Sequence, residues 1–406
     1  MTPAAALGLA AALLVAACGN PTPTPAPTPV NAGLYAGIEA QVAELRELSS
    51  KAPVGRTVLD EAGLRAHVQG LLDEELDTPE AKAGERLLKA LGLLPANADL
   101  RALYSETLSS QIAGRYDPDD QQMYIISKSG AIGPNEQITY AHEFTHALQD
   151  QYFDLDAYIG DEPDQGDRQT ARAALVEGDA TLLMSYWARN NLTPAELAEV
   201  VGSTDPVAAE ILNRMPKIIS ESLLFPYQAG LTFVLGAQAQ GGWAAVDAMF
   251  ADPPASTEQI LHPEKYASGE APVAVTFPAD AASALGTGWT VAAQDTMGEF
   301  ALGVWLRDVG DVKTGVATDA TAGWGGDRLA LVEGPSGAWG AIAQTAWDSE
   351  ADADEFAVAA EGMLIALRAG GQGAEILRPA PDRVVVFVAD GADTLGRIAN
   401  ILGFAG

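Results

Sequence analysis

Residues 139–150 read T-Y-A-H-E-F-T-H-A-L-Q-D and hold two of the chain's four histidines. On a helix, His142 and His146 lie about 40° apart on one face, because positions i and i+4 are neighbours there. Both imidazoles can then reach a single ion, as two nitrogen ligands of Zn²⁺. Glu143 follows the first histidine directly, so its carboxylate stands beside the ion's open position. From there it can take a proton from a water that the ion activates. Such a water has a pKa near 7, within reach of a glutamate at neutral pH. With four histidines in 406 residues, a chance H-E-x-x-H is expected in well under ~1% of chains. The stretch therefore reads as the centre of a helical metal site.

A catalytic zinc takes a third protein ligand. The continuation H-x-x-G-x-x-H is absent, because Gln149 and Tyr152 occupy its glycine and last histidine positions. The next candidate lies in A-A-L-V-E-G-D-A-T at 173–181. On a helix, the neighbours of Glu177 are Thr170, Ala173, Ala174, Thr181 and Met184, all uncharged. A carboxylate buried alone on such a face is costly, so it needs a partner or a cation. Glu177 is the expected third ligand, and Gly178 and Ala180 would let its helix pack closely on the first. Asp179 is the rival, with Arg172 as its salt-bridge alternative. Asp179 and Asp150 are otherwise expected behind the ligands, Asp150 at hydrogen-bond reach of a ligand imidazole.

The flanking sequence suggests how this site is carried. Residues 33–48, 60–75 and 79–93 have helical periodicity. Ser109–Tyr116 and Gln121–Ser127 flank D-P-D-D and read as a β-hairpin with a proline turn. G-P-N at 133–135 opens the helix that contains the two histidines, and D-Q-G-D at 164–167 caps a second long helix to about Asn190. Helical patterns continue through 194–249. Near 270 glycine rises, and R-L-A-L-V (328–332) and R-V-V-V-F-V (383–388) read as strands, with a helix between them capped at Ser349 and Asp352. A chain of 406 residues also exceeds what one core usually fills. The expected class is thus α+β: a mainly helical domain over 32–274 with a hairpin, then a smaller α+β domain over 275–406.

Composition narrows the partners. Twenty-three Lys+Arg stand against 55 Asp+Glu, a formal charge of −32, which repels nucleic acid and anionic headgroups. The N-terminus adds a location. Ala4–Ala17 is an unbroken apolar run, too short to span a bilayer but suited to a signal peptide (1–18). Val15-Ala16-Ala17-Cys18 resembles a bacterial lipobox, and Cys18 is the chain's one cysteine, so it is expected to carry lipid rather than a disulfide. The positively charged n-region is missing, since no Lys or Arg precedes Arg46; a start further upstream would account for that. Residues 19–31 alternate proline with threonine or alanine, an extended tether of roughly 30 Å. The expectation is an extracytoplasmic chain held to the membrane through Cys18.

With H-E-x-x-H on one helix and a glutamate on a later one, the sequence resembles the gluzincins. More narrowly it is similar to a group of bacterial and archaeal surface lipoproteins assigned to the metalloproteases. In these, G-x-Y-D-P precedes H-E-x-T-H-A-L-Q-D-Q, and A-L-V-E-G-D-A follows. The matching stretches are Gly114–Pro118, His142–Gln151 and Ala174–Ala180, and the likeness covers roughly 30–270. It implies a zincin-like metallopeptidase domain, a Zn²⁺ cofactor, and a peptide or protein substrate. In such folds an extended substrate pairs with an edge strand, for which Gln121–Ser127 is the candidate here. Gluzincins commonly stabilise the oxyanion with a Tyr or His, which makes Tyr227 and His262 candidates. His67 reads as a surface residue.

Two alternatives stand beside this reading; one, a periplasmic solute-binding lipoprotein, shares the anchor but gives no reason for H-E-F-T-H. A surface lipoprotein of zincin fold that has lost catalysis would keep the ligands as a binding or structural module, but Glu143, a base no structural zinc needs, argues for an enzyme. Asp348, Glu350, Asp352 and Asp354 mimic a calcium loop, yet Ala353 and Ala359 stand where it requires glycine and glutamate.

Overall fold

The computed structural model describes residues 31–403 apart from 127–131, 161, 163 and 204. Cys18 and the proline tether lie outside the described residues. The first helix, α1 (Ala32–Arg46), leads to strand β1 (Gly55–Leu59) and to α2 (Glu61–Leu76), α3 (Pro79–Ala90) and α4 (Leu100–Gln111). A hairpin follows, β2 (Gly114–Asp117) and β3 (Gln122–Ile126). Next come α5 (Pro134–Phe153), the short α6 (Leu155–Ile159) and α7 (Gly166–Asn191). Helices α8 (Pro194–Gly202) and α9 (Pro206–Arg214) lead to α10 (Lys217–Ala251), α11 (Thr257–Leu261) and α12 (Pro263–Ser268).

The local signals work as chemistry requires. Pro134 sits in the first turn of α5, where no amide partner is needed, and Glu136 accepts from the Gly133 amide at 3.0 Å. Asp60, Thr78 and Asp99 cap α2, α3 and α4 by accepting from Gly63, Ala81 and Ala102. Helix α4 uses up residues 109–111, so the first hairpin strand begins at Gly114 rather than Ser109.

The strand order of the first sheet is β1-β3-β2. β1 runs parallel to β3, Gly55 opposite Gln122 and Leu59 opposite Ile126, while β2 runs antiparallel on the other side. This corrects the expected edge: β3 is the central strand, because the short G-R-T-V-L segment pairs along its outer side. The free edge next to α5 belongs to β2.

Helices α5, α7 and α10 form the centre of the first half. The pair α7–α10 touches backbone to backbone: a Cβ on Gly230 would lie 1.9 Å from the Ala174 oxygen, and one on Gly178 would lie 2.3 Å from Gly230. Gly178 therefore serves contact with α10, not the expected approach of α7 to α5. Helix α10 is long and apolar enough to cross a membrane, with a mean hydropathy of 1.3 in its best window, but half that window is buried in the protein. It breaks at Gly242, whose φ of 65° suits glycine.

The C-terminal part contains α13 (Ala281–Leu285), β4 (Thr290–Asp295), α14 (Gly298–Asp308), α15 (Thr314–Thr321) and β5 (Trp324–Glu333). It continues through β6 (Trp339–Trp347), α16 (Glu350–Ala369), β7 (Gly373–Ala380), β8 (Arg383–Ala389) and α17 (Ala392–Ile401). Its antiparallel sheet has the order β4-β5-β6-β8-β7 and is covered on both faces. Alternation in β8 shows how: Val384, Val386 and Val388 enter one core, Val385, Phe387 and Ala389 the other. The first of these cores also takes Leu64, Leu88, Tyr104 and Leu108 from α2–α4. The change of texture near residue 275 is thus not a boundary of the apolar core. The molecule is α+β, mainly helical, with two small sheets.

Candidate metal centre

Helix α5 presents His142 and His146 from successive turns, and α7 brings Glu177 opposite them. His142 Nε2 and His146 Nε2 lie 3.0 Å apart. Glu177 Oε2 is 3.1 Å from the first and 3.4 Å from the second. Zinc ligands at about 2.1 Å in tetrahedral array lie about 3.4 Å from one another, so this triangle suits one ion with a fourth corner free. Burial gives the triangle a reason. Glu177 is 1% exposed, and among the described residues no Lys or Arg pairs with it. Two imidazole nitrogens converging on one carboxylate oxygen in such a place form the donor set of a borderline-soft divalent cation.

The electrostatics of the metal-free cluster point the same way. Burial would raise the Glu177 carboxyl, but His146 and His142 outweigh it and hold the group at about 2. Burial would lower His146, yet Glu177 and Glu143 push it to about 9. A proton thus occupies the cluster when no metal does, as a small cationic substitute.

Glu143 is aimed by the hairpin. Its Oε2 accepts from the Tyr116 amide of β2 at 2.7 Å, which leaves its other oxygen for a proton. Gly114 permits this approach, because a Cβ there would lie 2.6 Å from Thr139 Cγ2 and 3.0 Å from Glu143 Cγ. Tyr227 of α10 stacks on His142 with ring centroids 6.0 Å apart. Burial, then Glu177 and Glu143, raise its phenol well above the ordinary value. The Gly178–Gly230 contact brings Tyr227 this close, since each glycine lies within a turn of the residue it positions. His142, Glu143 and Tyr227 line a cleft of about 340 Å³ whose remaining wall is largely aliphatic: Leu108, Ile112, Met184, Leu212, Leu223 and Leu224.

Other candidates lie elsewhere. Asp150 reaches no imidazole: it accepts from the Tyr116 hydroxyl at 2.9 Å and the Leu155 amide at 3.2 Å, pinning β2 to the end of α5. Asp179 is not a ligand and does not pair with Arg172, which instead donates to the Tyr158 and Ile159 carbonyls. It pairs with the fully buried Arg46 at 2.9 Å. His262 is not in the cleft wall; its Nε2 pairs with Glu299 of α14 at 3.0 Å, a bond that raises its pKa. His67 is half-buried, its ring tilted against Tyr124 with centroids 4.4 Å apart. Burial and then Arg115 lower its pKa to about 4. A second group of acids, Glu258, Glu270 and Asp348, surrounds Lys265 Nζ at 2.6, 2.8 and 2.5 Å. An ammonium fills that site.

Two contributors escaped the sequence reading. Gln149 Oε1 lies 2.8 Å from His146 Nδ1; its spacing of three residues from His146 was the available signal. Arg46 reaches Asp179 across 133 positions, and no local pattern announces that.

Residues 287–398, from just before β4 into α17, match the family described as a domain of unknown function, DUF8575. That span contains none of the cluster residues. No curated protein and no solved structure matches the chain.

Proposed function

We propose that this chain is a zinc-dependent peptidase of gluzincin type, built on a zincin-like domain and held at the membrane by lipid on Cys18. The observation that carries the reading is the buried triangle of His142, His146 and Glu177 with the Glu143 carboxylate beside it. Bound there, Zn²⁺ would polarise a scissile carbonyl and acidify a water. Glu143 accepts that water's proton and passes it to the leaving amine, its orientation kept by the Tyr116 amide. Tyr227 donates its hydroxyl to the oxygen that becomes negative, from a partly buried position where such a bond is strong. Gly114, where β2 begins, lines the same cleft and would offer its backbone to an extended peptide. The aliphatic wall favours an apolar side chain next to the cut bond.

The test is metal content and cleavage of unfolded casein by the purified soluble part. Wild type is expected to hold one zinc and to cleave; Glu143→Gln should keep the metal and lose cleavage by about 10²–10⁴-fold. Equal zinc in wild type and Glu177→Ala would remove the third ligand and the reading with it. Zinc retained by a wild type that cuts nothing would leave a binding module.

A further inference from the structure

The two histidine ligands are held differently. His142 Nδ1 is buried without a hydrogen-bond partner, whereas His146 Nδ1 meets Gln149 Oε1 at 2.8 Å. The orientation of that amide follows from its other end. Gln149 Nε2 lies 3.0 Å from the Val176 carbonyl and 2.9 Å from Asp179 Oδ2. A carbonyl only accepts, and Asp179, which takes two contacts from Arg46 Nε at 2.9 and 3.1 Å, only accepts as well. Both amide hydrogens of Gln149 are thereby committed, and the amide cannot turn over without facing two acceptors with its own oxygen. Its Oε1 must point at His146, and Nδ1 of that ring must carry a proton.

We infer that Gln149, held by the Arg46–Asp179 pair, is a positioning residue that keeps the His146 proton on Nδ1 and its Nε2 lone pair directed at the ion. The inference rests on the zinc centre proposed above. It ties metal retention to α1, because Arg46 is in its last turn and also binds Asp247 of α10 at 2.7 Å. The arrangement spans α1, α5, α7 and α10, and Arg46 and Asp179 are both fully buried.

The experiment uses Gln149→Met, which preserves shape and leaves Arg46–Asp179 intact, and Asp179→Asn, which lets the Gln149 amide turn over. Zinc affinity is measured by competition with a chelator. In parallel, selective ¹⁵N-histidine labelling of the metal-free protein reports the tautomer, a tractable spectrum with four histidines. Spectra are taken over a series of pH values and the tautomer is read at the alkaline end, where the ring is neutral. Wild type should show a protonated Nδ1 on the neutral ring. Both variants should show a mixed or inverted tautomer and bind zinc about 10–100-fold more weakly. A wild-type Nδ1 signal in both variants, with zinc affinity within about twofold, would overturn the inference. A wild type that binds no zinc would remove the proposed function, while the nitrogen shifts would still decide the tautomer.

Discussion

Gly230→Ala tests whether the backbone contact between α7 and α10 builds the site. An ideal Cβ on residue 230 lies 1.9 Å from the Ala174 oxygen and 2.8 Å from its carbonyl carbon. A comfortable carbon–oxygen contact is about 3.3 Å, so the helices must part by roughly 1.4 Å. Both sides are main chain, and no rotamer change can relieve the clash. Overpacking typically costs about 1–3 kcal/mol, and a rigid contact belongs at the upper end. For a chain of this size that lowers the melting temperature by roughly 4 °C. Gly236→Ala is the matched control on the same helix, since nothing lies within 4 Å of its Cβ. A helix-interior Gly→Ala without a clash gains roughly 0.5–1 kcal/mol. The two alanines should therefore move the thermal melt in opposite directions, and Gly230→Ala alone should weaken casein cleavage as Tyr227 leaves its place on His142. If Gly230→Ala melts with or above Gly236→Ala, the close approach does not hold the helices as described.

Three further outcomes follow from the cluster. In metal-free protein, Glu177 titrates below its unfolded value, at about 2, so its contribution exists above the ordinary carboxylate range and fades as pH falls. His146 titrates above its unfolded value, at about 9, so its contribution is full below about 6.5 and fades as pH rises through 9. Denaturation midpoints should thus show the pair's effect, relative to Glu177→Gln, on a plateau between roughly pH 4.5 and 6.5 and shrinking on either side; a difference that does not shrink below the plateau or above it refutes the pairing. Tyr227→Phe should keep zinc and lose about 10²–10³ in kcat, and a loss below threefold would exclude the hydroxyl from the oxyanion. His262→Ala should leave kcat and KM unchanged while costing about 1–3 kcal/mol in denaturant, because Glu299 loses its partner in a buried site; impaired turnover at full stability would return His262 to the chemistry.

The parts of this site that were legible share a property: their partners lie within one or two helical turns, or within one buried face. H-E-x-x-H declares its geometry through i,i+4 spacing, and Glu177 stands out because an uncharged helical face leaves a carboxylate nothing else to bind. Ser349 as a cap and residues 383–388 as a strand are local in the same sense, and both are found. What failed depends on distant segments. Strand β3 looked like an edge because β1, some 65 positions earlier, carries too short a run to signal pairing with it. Asp150 had the right spacing for an imidazole, but Tyr116 of the hairpin takes it first. His262 had a plausible residue type and the wrong neighbourhood, which is set by α14.

The decisive element is three residues long. Glu177, Gly178 and Asp179 are consecutive on α7, about 100° apart around its axis, and each makes a different contact. Glu177 turns to the histidines of α5. Gly178 turns to Gly230 of α10 and so brings Tyr227 up to the cluster, while Asp179 takes Arg46 of α1 and Gln149 of α5. The cluster's carboxylate, the close approach and the orientation of the second imidazole are therefore set by a single helix, and a rotation of α7 by one residue would lose all three. The same helix is fastened at its start by the C-terminal unit: the Gly166 amide donates to Asp295 at 2.9 Å, and the Asp167 amide to the Thr296 carbonyl at 3.2 Å. Asp327 of β5 in turn accepts from the Met297 and Gly298 amides at 2.8 and 2.7 Å. The residues that match DUF8575 thus contribute no side chain to the cluster, yet they grip the start of the helix that carries Glu177, and the rotation of Glu177 depends on that grip.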